Sequence, residues 1–600
     1  MTSRLSRYLA LLASLLLLTS SGPTGVGGLS SPLALADSNS SPQTQATSVR
    51  RVNAPYDVPG EEAAIFWFGR VTPTENSVDV RVSYNDERLY LRVAAFDRRL
   101  WYDTSPAPAD LTAWDAVTLY LDVAGNAGSV PDANAYRFDA QLVWWEPRDD
   151  HQAAYVGDGS GWAMTTVPFT TTSGWRGNRP NDDVDDRGWV LTYRIPFDSL
   201  GASGPPAQGT VWSMALALHD RDDASGTPIA DKVWPETMET QQPATWGQLA
   251  FGIPTYSPPP VIPSATVTIR HGLDGAVVAD GAVGGGTTCG GGLDFWTNWG
   301  AANYAGLEQF NIQNLWDVGD WPCFSRYYVT FPLDTLPADK VIVSATLTLH
   351  QFGNAGQGYD PGPKPSLIQV LTVGQDWDES TLTWNNAPLA LENVSAAWAD
   401  PLDSFPGWPG VSREWDVSRA VAEAYAGGIP LRLALYEADG PYHSGKYFIS
   451  SDTGDWNAEG RPTLTVTWGQ AAANLEKASA PSHGHQGHSI TYTLRFLGTG
   501  NDLTLTDTLP PGVSAPGNFE LDGTSVTPTY DSDQHRLTWS DTPPADQQVT
   551  IRYQAVILTT SHHQALVNTA ELSEAGGKPS TATTTVIANP YLTHLPLICK

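Results

Sequence analysis

The chain is 600 residues long, more than one hydrophobic core usually serves, so we expect about two to four domains. Hydrophobic residues make up 41% of the chain and charged residues 16%, a globular composition that excludes a largely disordered protein. The formal net charge of −31 excludes nucleic acid as a partner, because phosphate binding requires concentrated Lys and Arg.

At the N-terminus, Arg4 and Arg7 precede an apolar run at residues 8–18, and a small-residue sequence follows at residues 34–36. This layout is typical of a secretory signal peptide over residues 1–36, with an uncleaved anchor as the alternative. The run is short for a bilayer, and no other stretch is apolar enough to cross one, so we expect no membrane span in the mature chain. We therefore expect a secreted protein, extracellular or held at the cell surface.

A Ser/Thr/Gln-rich linker at residues 37–53 precedes the first block, residues 54–252. The alternating segments SVDVRVSY (77–84) and RLYLRVAAFD (88–97) predict a hairpin with one buried face, and later alternating segments extend it to a β-sandwich. The succession NDERLYLRVAAFD, WDAVTLYLD, GWVLTYRIPFDSLG and TWGQLAFG resembles the family 9 carbohydrate-binding modules and their DOMON-like relatives. This resemblance implies a jelly-roll-like module that binds sugars.

A Pro-rich segment at residues 253–264 is interpreted as a stiff linker to the second block, residues 265–468. Alternating segments again predict a β-sandwich, and SRAVAEAYAGG (418–428) predicts a short helix. The order of strands around DWDESTLTWNNAP (376–388), followed by WDVSRAVAEAYAGG, resembles the DNRLRE domain, a family that overlaps the family 96 carbohydrate-binding modules. The segment between Cys289 and Cys323 is longer and more aromatic than that family implies.

A second linker is predicted at residues 469–488, before a third block at residues 489–588. Its alternating strands predict an Ig-like sandwich, and TDTLPPGV resembles the signature of the bacterial conserved-repeat domains, which usually serve as spacers on surface proteins. Residues 589–600 form a C-terminal tail. The predicted fold is thus all-β, with three tandem β-sandwich domains, two of them jelly-roll-like and one Ig-like.

Export permits a disulfide, and the chain has three cysteines. Cys289 and Cys323 bracket one loop-rich segment, so we predict that they pair. Cys599 is left over, either free or paired with another chain.

Aromatic residues in turn-like stretches are candidates for sugar binding, because the C–H face of a sugar ring packs on an indole or phenol ring. The alternative for each residue is that it covers a sandwich edge or fills the end of a barrel. The candidates are Trp101, Tyr102, Trp175, Trp234, Trp296, Trp299, Tyr304, Trp316 and Trp321.

Oxygen-rich loops at NDDVDD, DRDDAS and SDTGDW provide the ligand type that a structural calcium ion requires, but none has EF-hand spacing. Solvated acidic turns are the alternative, and the sequence leaves both interpretations open. The candidate ligands are Asp182, Asp183, Asp185, Asp220, Asp222, Asp223, Asp452 and Asp455.

The sequence carries no GxSxG, HExxH, GxxxxGK[ST] or CxxC motif, and the three blocks account for most of its length. We therefore predict a non-catalytic protein that binds a polysaccharide or another glycan, with a cell-envelope component or an enzyme as a further partner and no organic cofactor. Two alternatives remain: an accessory protein of glycan degradation with hydrolase or lyase activity, and a structural surface or adhesion protein without a ligand.

Overall fold

The computed structural model describes residues 49–590, except residues 58–61, 126–127, 144–147, 260, 288, 290–291, 320–322, 339, 472–473, 546 and 575–578. The predicted signal peptide and Cys599 lie outside the described residues. The fold is all-β, as predicted. The described part contains one α-helix, α1 (Ser418–Ala426), where SRAVAEAYAGG predicts it, and none of its helices has the length and apolar character needed to cross a membrane.

The first domain is a sandwich of two sheets. Its strands are β1 Arg51–Ala54, β2 Ala64–Thr72, β3 Glu75–Tyr84, β4 Arg88–Phe96, β5 Ala116–Asp122, β6 Ala135–Gln141, β7 Gln152–Gly157, β8 Trp162–Thr165, β9 Thr170–Arg176, β10 Gly188–Pro196, β11 Val211–His219, β12 Lys232–Trp234 and β13 Gly247–Phe251. One sheet has the order β2-β3-β4-β10-β9, and the other runs β1-β13-β11-β5-β6-β7-β8 with β12 beside β11. Alternating side chains of both sheets, such as Val80 and Leu91 of the first and Leu119 of the second, fill the core between them.

The second domain is a further sandwich. Its strands are β14 Val261–Arg270, β15 Ala279–Val283, β16 Gln309–Ile312, β17 Arg326–Phe331, β18 Val341–Asn354, β19 Ser366–Val373, β20 Ala390–Ala399, β21 Val411–Asp416, β22 Leu431–Asp439, β23 Lys446–Ile449 and β24 Thr463–Ala471. One sheet has the order β14-β24-β18-β23-β16 with β21 paired to β18, and the other runs β15-β17-β22-β19-β20. A disulfide joins Cys289 to Cys323.

The first and second domains share a sheet and a core. Strand β20 pairs with β1, which links strands of both domains into one 13-stranded sheet. A buried cluster, here called the interface core, combines residues such as Trp67 and Phe96 of the first domain with Trp299 and Trp384 of the second. The two domains are therefore packed together rather than separated by a free linker.

Polar groups inside this interface are paired across it. Asp79 of β3 accepts hydrogen bonds from Tyr436 (2.7 Å) and Asn314 (3.1 Å), while the Arg81 guanidinium donates to the carbonyl oxygens of Ala438 and Leu315. Pairing of buried polar groups limits the free-energy cost of their desolvation.

The third domain has the strands β25 Glu476–Ala480, β26 His483–Gly484, β27 Ser489–Leu497, β28 Leu503–Thr508, β29 Gly517–Asp522, β30 Thr529–Asp531, β31 Arg536–Asp541, β32 Gln548–Val556, β33 Gln564–Glu574 and β34 Ser580–Ala588. Its sheets have the orders β25-β27-β32-β29 and β26-β34-β33-β28-β31-β30. All three segments predicted as linkers hold strand residues: β1 begins at Arg51, β14 begins at Val261, and β25 and β26 lie within residues 469–488.

Short 3-10 helices occupy several connections. They are Pro108–Ala113, Arg148–His151, Asp198–Leu200, Pro243–Thr245, Leu273–Gly275, Trp299–Ala301 and Asp455–Gly460.

Candidate functional site

Four of the aromatic candidates are buried and form no binding surface. Trp296 and Trp299 lie in the interface core, where the Trp299 ring is 4.7 Å from that of Trp384. Trp234 packs 4.3 Å from Phe66 in the core of the first domain, and Tyr102 belongs to the same core. The prediction that these four side chains are exposed and bind sugar is therefore wrong, because neighbouring elements cover the turns that carry them.

Trp101 and Tyr304 are half-buried, and Trp321 lies outside the described residues. The backbone N–H of Trp101 donates to a carboxylate oxygen of Asp115 at 2.6 Å, so this residue helps to hold an acidic side chain in place.

Trp316 and Trp175 border a groove of about 310 Å³ between the first two domains. We call it the inter-domain groove and define it by Arg92, Gly174, Thr192, Arg194 and Trp316. The Trp316 side chain is 41% exposed, and the guanidinium of Arg92 lies 5.2 Å from its ring centre. Above Gly174 the floor is open, since an added Cβ would meet no atom within 4 Å.

The rim of this groove is basic. Arg176 pairs with Asp317 of the second domain (2.6 Å), and Arg194 donates to the Thr172 hydroxyl at 3.2 Å. Trp175 packs against the core of the first domain, and its Nε1–H donates to the carbonyl oxygen of Asn178. Its indole N–H is therefore satisfied within the fold.

The second domain displays a group of contacting aromatic rings that the sequence reasoning missed. We call it the aromatic patch and define it by Phe352, Phe405, Trp408, Tyr447 and Trp456. Ring centres are 5.0 Å apart for Phe405–Trp408, 5.2 Å for Trp408–Trp456 and 5.8 Å for Phe352–Trp408. Trp408 is 44% exposed, Phe405 56% and Trp456 64%. Exposed neighbouring rings of this size indicate a binding surface, since soluble proteins seldom display contiguous apolar patches.

Two paired strands, a loop and a short helix position these rings. Phe352 lies on β18 and Tyr447 on β23, which pair at this end of the sheet, so their rings share a face 6.2 Å apart. Trp408 lies in the loop before β21, and Trp456 in the short helix Asp455–Gly460. In the sequence, Pro409 and the glycines beside it indicate a turn around Trp408. The aromatic residues in that turn were the signal from which the patch could have been predicted.

A separate feature of the first domain is a buried group of three carboxylates, here called the acidic cluster: Asp97, Asp115 and Asp220. One oxygen from each lies within 4.8 Å of the others. Asp97 follows β4, Asp115 precedes β5 and Asp220 follows β11, so three strand ends bring the group together. Of the calcium candidates, only Asp220 is a member.

The three carboxylates of the cluster differ in their hydrogen bonds. Asp97 accepts from the Trp189 indole N–H at 3.1 Å, and Asp115 from the backbone N–H groups of Trp101 and Arg221. Both carboxylate oxygens of Asp220 are buried, and an interaction with the Asn76 side chain offsets only part of the cost of burying the charge. Burial, reinforced by repulsion from neighbouring aspartates, raises the pKa of all three side chains, to about 7 for Asp220.

Most of the other calcium candidates lie in turns apart from this cluster. Asp182 accepts from the Val184 backbone N–H, Asp185 pairs with Arg98, Asp223 accepts from Ser225, and Asp455 pairs with Arg461. Asp222 is half-buried near the cluster, whereas Asp183 and Asp452 are exposed. These acids mostly cap turns, and the structure does not gather them into one site.

Comparison with known proteins finds a family match within the second domain. Residues 296–467 match the family model of carbohydrate-binding module family 96. Among curated proteins, no sequence matches this chain significantly.

Similar solved structures include two bacterial proteins. One is a family 9 carbohydrate-binding module from Caldicellulosiruptor kristjanssonii in complex with cellotriose, at 16% identity and a TM-score of 0.26, covering 34% of this chain and 94% of the module. The other is a putative carbohydrate-binding protein from Bacteroides uniformis, at 13% identity and a TM-score of 0.26, covering 34% of this chain and all of that chain.

Proposed function

We propose that this protein binds extracellular carbohydrate without transforming it, and that the aromatic patch is its main binding surface. The observation that carries this proposal is the contiguous exposure of Phe405, Trp408 and Trp456. The patch lies within residues 296–467, the part of the chain that matches carbohydrate-binding module family 96.

The geometry of the patch suits a saccharide ring. Trp408 and Trp456 meet at 81°, so the pair forms a corner with two ring faces. A pyranose packs its C–H face on one indole, while its edge contacts the other ring. Binding of this kind depends on burial of apolar surface and tolerates variation in the sugar, because every pyranose has such a face.

The three carboxylates of the sequence motif DWDESTLTWNNAP support a binding role over hydrolysis. Asp376 pairs with Arg432 (3.1 Å), Asp378 accepts from the Ser380 backbone N–H, and Glu379 accepts from that of Gly306. A glycosidase holds two carboxylates across a substrate groove, whereas these side chains fasten loops.

The inter-domain groove is a second candidate, and its cationic lining favours an acidic sugar. Arg92, Arg176 and Arg194 surround it in a chain whose net charge is −31. Guanidinium groups bind carboxylates in a bidentate manner, and the exposed Trp316 adds a ring face.

We further propose that the protein acts outside the cell and that the acidic cluster binds one calcium ion. The Cys289–Cys323 disulfide supports an oxidising compartment. The buried oxygens of Asp97, Asp115 and Asp220 supply the ligand type that Ca²⁺ requires, and the ion would offset their mutual repulsion and stabilise the strand ends that carry them.

A glycan array probed with the full described chain, residues 49–590, tests the binding proposal. We expect retention on at least one polysaccharide and a loss of about 10-fold or more in affinity for Trp408→Ala and Trp456→Ala, because both remove exposed ring area. Trp398→Ala is the matched control, since Trp398 is 41% exposed on β20 of the same domain and is not part of the patch.

Two outcomes would reject the proposal. An array without any retained glycan favours a structural surface protein. Release of reducing sugar or of unsaturated product, lost on substitution of one carboxylate, favours the enzyme alternative.

A further inference from the structure

The third domain buries a charged pair between its two sheets. Lys477 of β25 lies in the four-stranded sheet and Asp507 of β28 in the six-stranded sheet. The Lys477 Nζ contacts a carboxylate oxygen of Asp507, and both side chains are fully buried. The carbohydrate-binding proposal uses neither residue.

An amide side chain completes this group. The Tyr553 hydroxyl donates to the second carboxylate oxygen of Asp507 at 2.8 Å and accepts from the Asn568 amide nitrogen at 2.9 Å. Asn568 lies on β33, directly beside β28 in the sheet, and is fully buried. Its carbonyl oxygen Oδ1 has no hydrogen-bond donor among the described residues.

The remaining walls of the site are apolar or aromatic. The Tyr492 ring centre lies 5.6 Å from Lys477 Nζ, and the site belongs to the core around Leu494 and Ile551. A buried ion pair is a poor source of stability by itself, because the desolvation cost can exceed the Coulombic gain. Burial lowers the pKa of Lys477 to about 8 and raises that of Asp507, so the neutral amine and the protonated acid are both more accessible than in water.

We propose that Lys477 Nζ and Asn568 Cγ form an intramolecular isopeptide bond, with Asp507 transferring the protons. The Asp507 carboxylate takes a proton from the Lys477 ammonium, and the neutral amine attacks Cγ of Asn568. The new C–N bond forms as the bond from Cγ to the amide nitrogen breaks. Asp507 gives its first proton to the leaving nitrogen and then takes the second proton from the attacking nitrogen, which leaves Asp507 protonated. The products are a secondary amide and one molecule of ammonia, without an oxidant or another reactant.

The bond would fasten the two sheets of the third domain to each other. It would tie β25, the first strand of this domain, to β33, near its end. A covalent link between distant parts of a chain restricts its unfolded ensemble, as a disulfide does.

Peptide mapping of the full chain by mass spectrometry tests the bond directly. After reduction and trypsin digestion, we expect one branched peptide that joins Lys477 to Asn568 and weighs about 17 Da less than its two parts. The same digest of Lys477→Arg and of Asp507→Ala should give only linear peptides of unmodified mass, with intrinsic fluorescence reporting whether each variant is folded.

A second variant identifies the acyl group. In Asn568→Asp, the leaving group becomes water, so the branched peptide should be about 18 Da lighter than its parts. Linear, unmodified peptides from the wild-type chain would overturn the proposal, and so would a branch at Asp507 instead of Asn568. Wild-type mapping decides the question even where a variant fails to fold.

Discussion

Two tryptophan-rich regions of the second domain differ in what covers them. The segment between Cys289 and Cys323 has a high density of aromatic residues, yet Trp296 and Trp299 are buried against the first domain. The loops that carry Trp408 and Trp456 have fewer aromatic residues, yet those rings are exposed. Local composition therefore does not separate a core tryptophan from a binding one, because the deciding factor is whether another domain lies over the turn.

The buried region contains both cation–ring contacts and hydrogen bonds between the two domains. The Arg326 guanidinium lies 3.7 Å from the ring centre of Trp384 and 4.4 Å from that of Trp67, so one cation contacts rings of both domains. The Trp384 indole N–H donates to the Ser77 hydroxyl at 3.2 Å, and the Asn385 amide bonds both backbone polar groups of Val71. These contacts join the two domains through rings and polar groups that lie far apart in the sequence.

Separating the two domains should have the largest effect. We expect a fragment of residues 261–471 to aggregate or to bind a hydrophobic dye, because it exposes the second-domain half of the interface core. A fragment of residues 49–471 is the control and should remain monomeric and soluble. A well-folded, dye-negative 261–471 fragment would show that the interface is dispensable.

Truncation of one interface tryptophan should cost less but remain severe. Trp299→Ala leaves a cavity between Phe295 and Trp384, so we expect the free energy of unfolding to fall by about 3–5 kcal/mol. Trp408→Ala, on the exposed patch, should change it by less than about 1 kcal/mol. Urea denaturation of the full chain measures both, and equal losses would contradict the contrast between the two regions.

The same contrast applies to aspartates. Asp220 is buried with a pKa of about 7, raised above its ordinary value, whereas Asp455 is exposed and pairs with Arg461. Without a cation, stability that is present below pH 4 should decline as the pH rises towards about 7, because Asp220 must ionise while buried; the share of the loss due to Asp220 is about 4 kcal/mol.

Calcium should oppose this decline. We expect the unfolding temperature in chelator to fall between pH 5 and pH 8, and the fall to be smaller with Ca²⁺. Asp220→Asn should flatten the pH dependence and abolish the calcium effect, while Asp455→Asn serves as the control. If calcium does not change the unfolding temperature at pH 8, the proposal that the acidic cluster binds a calcium ion is wrong.

Sequence reasoning found the strands and missed how they are covered. In β3, Val78, Val80 and Val82 alternate with polar residues, which predicts one solvent-facing side. Asp79 and Arg81 are instead buried against the second domain. Alternation shows only that the two faces of a strand differ in polarity. The polar face can still be buried against another domain whose polar groups form hydrogen bonds with it. In this chain those groups lie more than 200 positions away in the sequence.

The motif DWDESTLTWNNAP shows the same limit on a smaller scale. Its pattern predicts that Trp384 fills the sandwich and that the asparagines shape a turn, and Asn386 does accept from the Thr383 backbone N–H at 2.7 Å. The hydrogen bonds of Asn385 to Val71 had no local signal, since they depend on the docking of two domains.

The smallest expected effect concerns the inter-domain groove, which lies at the exposed edge of the interface between the first two domains. Arg194→Ala removes one cation from a rim that also holds Arg92 and Arg176, so we expect a loss of about 1 kcal/mol in binding an acidic polysaccharide. The loss should shrink in high salt, because added ions screen the charges. Arg536→Ala, in the third domain, is the control for net charge, and titration calorimetry with acidic and neutral polysaccharides makes the measurement. If the neutral ligand loses as much affinity as the acidic one, the groove does not select by charge, and Arg194 contributes through contacts other than ion pairing.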